Sequence, residues 1–210
     1  MKKQVLAKFI DQTNLKPGQT EQYITEFCKE ADEAGFASVC ILPTLVETAT
    51  SVLKNTNTKV CTVISFPLGM DVPEVKICAT KEAIEKGAEE IDLVLNVCAL
   101  KSGLYNIVNQ ELFGVIETPL LNEEQIIKAC ELAEANQVDI VKTSTGFSAM
   151  LPRSTSVEDV KLIRKHIKPT TGLKAAGGIR ITADALKMIE AGATRIGASS
   201  GKEIVAGLDE

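Results

Sequence analysis

The chain has 210 residues, 45% of them hydrophobic and 24% charged, the balance of a globular protein rather than a disordered or fibrous one. Its 23 basic and 28 acidic residues leave a formal charge of −5, which argues against a nucleic-acid-binding surface. The most apolar stretch, Ile91–Leu100, is broken by Asp92 and Asn96 and falls short of a membrane span, and MKKQVLAKFIDQT meets Asp11 before the apolar core of an export leader develops. A cytoplasmic protein without nucleic-acid or membrane partners is expected.

In chain order, β-branched apolar runs alternate with segments of helical period, the pattern of βαβ units and a parallel sheet. A first strand is predicted over Phe9–Thr13, a helix over Thr20–Ala34, a strand in SVCILP and a helix over Leu45–Leu53. Next come a strand at Lys59–Pro67, a helix at Pro73–Lys86 and a strand in EEIDLVLN. Only about ten residues between Leu100 and Leu112 remain for the fourth helix. Strands at Phe113–Thr118, Val138–Val141, Gly172–Gly178 and in RIGASS follow, with helices at Glu123–Ala135, Val157–Ile167 and Ala183–Ala191 between them. Gly35, Gly87, Asn136 and Gly192 close helices at equivalent points, each suited to a left-handed cap. Eight strand–helix units without a linker predict residues 1–210 as a single compact α/β TIM (β/α)8 barrel catalytic domain with a shortened fourth helix. An open doubly wound sheet fits less well, because no GxGxxG follows the first strand.

The six cysteines lie at least 12 residues apart with no CxxC pair, which speaks against structural zinc and, without an export signal, against a disulfide framework. No metal and no cofactor are expected. The single histidine, His166, sits among lysines near a helix end and reads as a solvated side chain. Acid–base work then falls to Lys, Asp, Glu or Tyr.

Barrel chemistry sits at the C-terminal ends of the strands. Lys142 and Lys174 each interrupt an apolar strand and are followed by small residues and glycine, and lysine is seldom buried without a reason. One cation beside another favours the neutral amine, and a neutral amine attacks a carbonyl to give an iminium, an electron sink. Asp92 interrupts the fourth strand and Asp11 is placed at the end of the first. Side chains in one barrel layer come from alternate strands, so Asp92 is expected to share a layer with Lys142, and Asp11 with Lys174. Structural ion pairing competes as an explanation for Asp11. Cys40, at the end of the second strand, reads as a buried small side chain near the site. Gly177 and Gly178 after strand seven, with Ser199 and Ser200 after strand eight, occupy the loops where barrels hold phosphate on backbone amides, and Gly146 offers a further contact.

The phrases IDQTNLKP, SVCILP, ISFPLG, EEIDLVLN, ALKSG, ETPLL, VKTSTGF, LKAAGGIR and MIEAGATRIGASSG together resemble the deoxyribose-phosphate aldolases, class I aldolases on a TIM barrel. The resemblance implies a lyase that reversibly cleaves 2-deoxy-D-ribose 5-phosphate to D-glyceraldehyde 3-phosphate and acetaldehyde without a metal. It implies Lys142 as the Schiff-base lysine, with Thr143 next to it, and Lys174 as the neighbour that lowers its pKa. It makes Asp92 the acid–base residue working through water, gives Asp11 a part in the proton relay, and assigns Gly146, Gly177, Gly178, Ser199 and Ser200 to the phosphate. Partners are phosphorylated sugars and aldehydes, with room for a homo-oligomer. The sequence departs from the family pattern at Gln12, at Ile41-Leu42, in the polar loop AMLPRSTS, at the shortened Leu104–Glu111 and at the Asp209-Glu210 end, which carries no tyrosine. Two alternatives stay open: another phosphosugar aldolase or isomerase on the same barrel, and a phosphate-ligand-binding barrel with impaired turnover. Without a full fourth helix, the Leu112–Thr118 strand is expected to leave apolar surface exposed, inviting a subunit contact or a locally weak region.

Overall fold

The structure, a computed structural model, describes residues 1–111, 113–147 and 150–208. Leu112, Ala149 of the polar loop and Asp209-Glu210 lie outside the described residues. Among those described, seven parallel strands run β1 (Ile10–Asn14), β2 (Ser38–Ile41), β3 (Lys59–Ile64), β4 (Glu90–Leu93), β5 (Ile140–Lys142), β6 (Gly172–Ala176) and β7 (Arg195–Ala198). The helices are α1 (Lys3–Ala7), α2 (Glu21–Glu33), α3 (Val46–Val52), α4 (Pro73–Glu85), α5 (Val97–Lys101), α6 (Tyr105–Asn109), α7 (Glu123–Ala135), α8 (Val157–His166), α9 (Thr182–Glu190) and α10 (Gly201–Ala206). None is long and apolar enough to cross a membrane.

Helix boundaries follow from local chemistry. Thr20 accepts a hydrogen bond from the Tyr23 amide and starts α2, whose Ile24, Phe27, Cys28 and Ala31 fall on one buried stripe. Asn122 with Gln125 and Ser156 with Asp159 form capping boxes at α7 and α8. Gly35, Gly87 and Gly192 take the left-handed conformation after their helices. Asn136 does not: its φ is −86°, and the positive φ falls one residue later, at Gln137. His166 ends α8 half-buried, its Nδ1 2.9 Å from the Leu162 carbonyl.

The sheet order is β4-β3-β2-β1-β7-β6-β5, a barrel closed everywhere except between β4 and β5. The predicted fifth strand, Phe113–Thr118, sits in that gap but is not a ladder strand. Val115 alone bridges Val94 on one side and Lys142 on the other. The Leu95 amide donates to Val115 O (2.9 Å), Lys142 N–H to Gly114 O (2.7 Å) and Ile116 N–H to Lys142 O (3.0 Å). The chain leaves α6 at Gln110 and must already face β5 at Gly114, which leaves too few residues to lay a strand along β4 from its start.

The expectation of an exposed flank is corrected. Phe113, Val115 and Ile116 are buried within the single chain, as is Val108 of α6, and burying a side chain of that size is worth about 1.5–3 kcal/mol. Two short helices, α5 and α6, stand where the fourth helix was predicted to shrink. Their end is fastened by an ion pair that is itself buried: Lys76 Nζ of α4 lies 2.7 Å from Glu111 Oε2 and donates to Val94 O at 3.0 Å.

Candidate active site

Lys142 and Lys174 are register partners on β5 and β6, so both side chains leave their strands on the same, inward side. Asp92, on β4, faces them across the barrel. Lys142 Nζ is 2.5 Å from Asp92 Oδ2, and Lys174 Nζ lies 2.9 Å from the same oxygen and 3.1 Å from Oδ1. Lys174 also stands 2.9 Å from Asp11 Oδ2. Both expected layer pairings are therefore present, and one carboxylate joins the two lysines.

All four side chains are withdrawn from solvent. Burial by itself pushes the Asp92 carboxyl up, but the Lys142 and Lys174 cations and their hydrogen bonds outweigh it and hold Asp92 well below the usual carboxylate range. Burial likewise disfavours the Lys174 ammonium, and Asp11 with Asp92 reverses that, raising it well above an ordinary lysine. Lys174 is a fixed cation.

Asp11 is the second of five residues in β1 rather than its last, so it lies below the mouth. It accepts from Ser38 Oγ (2.9 Å) and from the Arg195 guanidinium, which in turn reaches Glu90 (2.9 Å). A charged file thus runs Lys59, Glu90, Arg195, Asp11, Lys174, Asp92, Lys142. Arg195 is a residue that sequence reasoning missed, although an arginine inside the apolar TRIGAS carries the same signal as the two lysines.

The mouth is a cavity of about 460 Å³ whose lining includes Gln12, Lys142, Gly146, Gly177, Gly178 and Ser199. Lys16 and Arg180 also line it and add cations that the sequence did not single out, while Lys202 is paired to Glu30 at 2.6 Å and Glu203 lies in the same lining. Gly177 and Gly178 hold φ of 99° and 88°, which keeps side chains off the rim, and a Cβ on Gly178 would meet Ser154 Oγ at 2.6 Å. Ser200 is not part of this lining; it is the residue preceding α10. Gln12 accepts from the Gly201 amide (3.0 Å) and donates to Ser199 O (3.3 Å), tying β1 to that turn.

Thr143 is fully buried and does not line the mouth. Its Oγ1 donates to Ala176 O (3.1 Å) and accepts from the Ala176 amide (3.0 Å), locking the ends of β5 and β6. The following loop is held by Glu117, a second residue that sequence reasoning missed. It is buried with φ 58°, accepts from Ser144 Oγ, and takes the Thr145 amide on both carboxylate oxygens at 3.1 Å. Nothing in ETPLL alone marks this role, because it depends on a contact across 28 residues of sequence. Arg153 of the polar loop binds Asp159 through both terminal nitrogens (2.5 and 2.9 Å), which seats Thr155 beneath Ala176 O.

Cys40 is buried with its Sγ 3.7 Å from Asp92 Oδ2, and Cys61 lies beside it. The ligand atoms of Cys40, Cys61 and Asp92 fall within 4.8 Å of one another, but the set does not suit a metal. Hydrogen bonding to Cys40, burial and the Asp92 charge all push the Cys61 thiol well up, and Asp92 is already held by two lysines. All six cysteines are free thiols.

A parallel barrel with two inward lysines sharing a carboxylate beneath a glycine-rimmed, basic mouth defines an enzyme of the carbonyl-handling barrel class. No family model matches the chain, but individual relatives do. A deoxyribose-phosphate aldolase of Caldanaerobacter subterraneus subsp. tengcongensis is 49% identical over 215 residues, spanning 95% of this chain and 92% of that one. One from Clostridium perfringens is 49% identical over 220 residues, spanning 99% and 97%. Among solved structures, the aldolase QR15 superposes with a TM-score of 0.89 at 43% identity over 96% of this chain and 94% of that one. The tetrameric deoxyribose phosphate aldolase of Aeropyrum pernix gives 0.84 at 29% identity over 97% and 91%. The chain belongs to the deoxyribose-phosphate aldolase family, and it is an aldolase, a lyase.

Proposed function

We propose that this chain reversibly cleaves 2-deoxy-D-ribose 5-phosphate to D-glyceraldehyde 3-phosphate and acetaldehyde through a Schiff base on Lys142. The observation that carries the reading is the sharing of Asp92 between Lys142 and Lys174 at the floor of the phosphate-suited mouth. Lys174, a fixed cation, claims the same carboxylate and places a second positive charge beside the Lys142 nitrogen.

The amine of Lys142 adds to the C1 aldehyde of the open-chain sugar, and loss of water leaves the iminium. A base takes the C3 hydroxyl proton, the C2–C3 bond breaks, and its electron pair moves into the iminium to give an enamine, releasing the phosphorylated aldehyde. Protonation at C2 and hydrolysis return acetaldehyde and the free amine. Asp92, working through water, moves these protons, and Lys174 with Asp11 completes the relay. Gly146, Gly177, Gly178, Ser199 and Ser200 receive the phosphate, assisted by Lys16 and Arg180, while Thr143 and Cys40 shape the surroundings. Residues 1–210 act as a single catalytic domain, without metal or cofactor. The protein works in the cytoplasm and associates with copies of itself, as the Aeropyrum protein does.

Incubation with acetaldehyde and borohydride is expected to leave an ethyl adduct on Lys142, located by peptide mass spectrometry. An adduct chiefly on Lys174, or none, overturns the assignment. An isomerase would form none, and a binding protein without turnover would bind deoxyribose 5-phosphate but release no acetaldehyde.

A further inference from the structure

Two cavities reach Lys142. One is the mouth. The other, about 370 Å³, opens on the barrel's flank between β4 and β5 and ends on Asp92, Lys142 and Lys174. It lies below the short stretch Gly114–Thr118, whose backbone hydrogen bonds meet only the upper ends of β4 and β5. Among the described residues no ladder reaches Glu90–Asp92 from that side. Gly114 lines the opening without a side chain, and a Cβ there would press on Ile140 O at 3.0 Å.

The two openings differ in charge. The mouth carries Lys16 and Arg180, with Lys202 paired to Glu30 at 2.6 Å and Glu203 as its other carboxylate. The flank cavity has exposed Glu89 and Asp139 at its outer rim, and its only cations among the described residues are the two lysines at its inner end. An acidic rim repels a phosphorylated sugar or aldehyde and leaves a small neutral molecule unopposed. Along the wall, Thr80 Oγ1 is buried without a hydrogen-bond partner among the described residues. An unpaired buried hydroxyl is costly, and it offers a donor to a carbonyl oxygen passing the otherwise apolar Phe113 and Ile140.

We infer that the flank cavity is a second port, through which the two-carbon neutral aldehyde reaches and leaves Lys142 independently of the phosphate mouth. The inference rests on the aldolase reading above. In the cleavage direction the phosphorylated aldehyde departs by the mouth while the enamine remains on Lys142, and the flank gives acetaldehyde its own exit. In the condensation direction acetaldehyde loads onto Lys142 whether or not the mouth is occupied.

The test is to plug the port from α4 with Thr80→Trp and, independently, from the β5 lip with Val138→Trp, so that failure of one variant to fold leaves the other. In condensation assays each folded variant is expected to raise the KM for acetaldehyde at least tenfold and to leave the KM for glyceraldehyde 3-phosphate within twofold. A second arm follows borohydride trapping of acetaldehyde on Lys142 while glycerol 3-phosphate, which has no carbonyl, inhibits cleavage fully. Trapping is expected to persist in the unsubstituted protein and to fall at least tenfold in the plugged variants. An unchanged KM for acetaldehyde, both KM values rising together, or trapping abolished by glycerol 3-phosphate in the unsubstituted protein overturns the port. Absence of any Lys142 adduct in the unblocked protein would instead sink the aldolase reading, and the port with it.

Discussion

The arc formed by β1, β2 and β3 and the seam between β4 and β5 close the same barrel by different means. Across the arc, four register pairs join β1 to β2 and four join β2 to β3. Across the seam the backbone offers one bridging residue, Val115, and a few hydrogen bonds from Gly114, Ile116 and Thr118 around it. Side chains add to that closure. Asp92 stands on one lip and Lys142 on the other, 2.5 Å apart, and the buried Lys76–Glu111 pair fastens the flank outside them. Where the ladder is missing, the groups that carry the chemistry also hold the wall together, so the seam couples activity to stability while the arc leaves them separate.

The sharpest way to break that comparison is to remove the cation shared by both sides. Lys174→Met leaves Asp92 to Lys142 alone. It is expected to cost several powers of ten in kcat at neutral pH. Part of the activity should return at alkaline pH, so a pH–rate profile of unchanged shape would refute this role. Because Asp11 keeps Arg195 as a partner, the variant should remain folded.

Next in size is the pair behind the seam. Removing one member of a buried ion pair strands the other and costs about 3–5 kcal/mol. Lys76→Met is expected to lose that much in urea unfolding, while Lys76→Met with Glu111→Leu should recover most of it. Ser38→Ala, which removes one hydrogen bond to Asp11 on the closed arc, should cost only about 1 kcal/mol. Equal losses at the two places would erase the distinction.

The smallest effect is in local opening. Amides in Glu90–Asp92 are expected to exchange hydrogen faster than those of Val39–Ile41, because one of their edges has no ladder. Gly114–Ile116, buried and bridged on both sides, should be protected like the arc. Low protection throughout 113–116 would restore the exposed flank that the short fourth helix suggests from sequence.

These differences also show what was legible in the chain. Lys142, Lys174, Asp92 and Asp11 stand out because a charge inside an apolar strand has few innocent explanations, and their pairing followed from barrel layering. Arg195 carried the same mark and went unread. Glu117 could not be read, since its partners lie beyond the next helix. The strand at Phe113–Thr118 was misread for a different reason. FGVIET has β-branched composition, but a strand is defined by neighbours in register, and the short segment before it brings only Val115 into position. Ser199 lines the mouth and Ser200 precedes α10, a placement that the spacing of GASSG alone does not give.

The charged file from Lys59 to Lys142 has a consequence for the covalent chemistry. It holds three carboxylates, Glu90, Asp11 and Asp92, and four basic groups, Lys59, Arg195, Lys174 and Lys142. With Lys142 as a free amine the file is balanced, three charges against three. Conversion of that amine to an iminium adds a fourth positive charge beside Asp92, the carboxylate that meets both lysines. The covalent intermediate therefore draws on a carboxylate that Lys174 already holds. An uncharged replacement at Glu90 or Arg195, well away from the substrate, would retune how long the intermediate lasts.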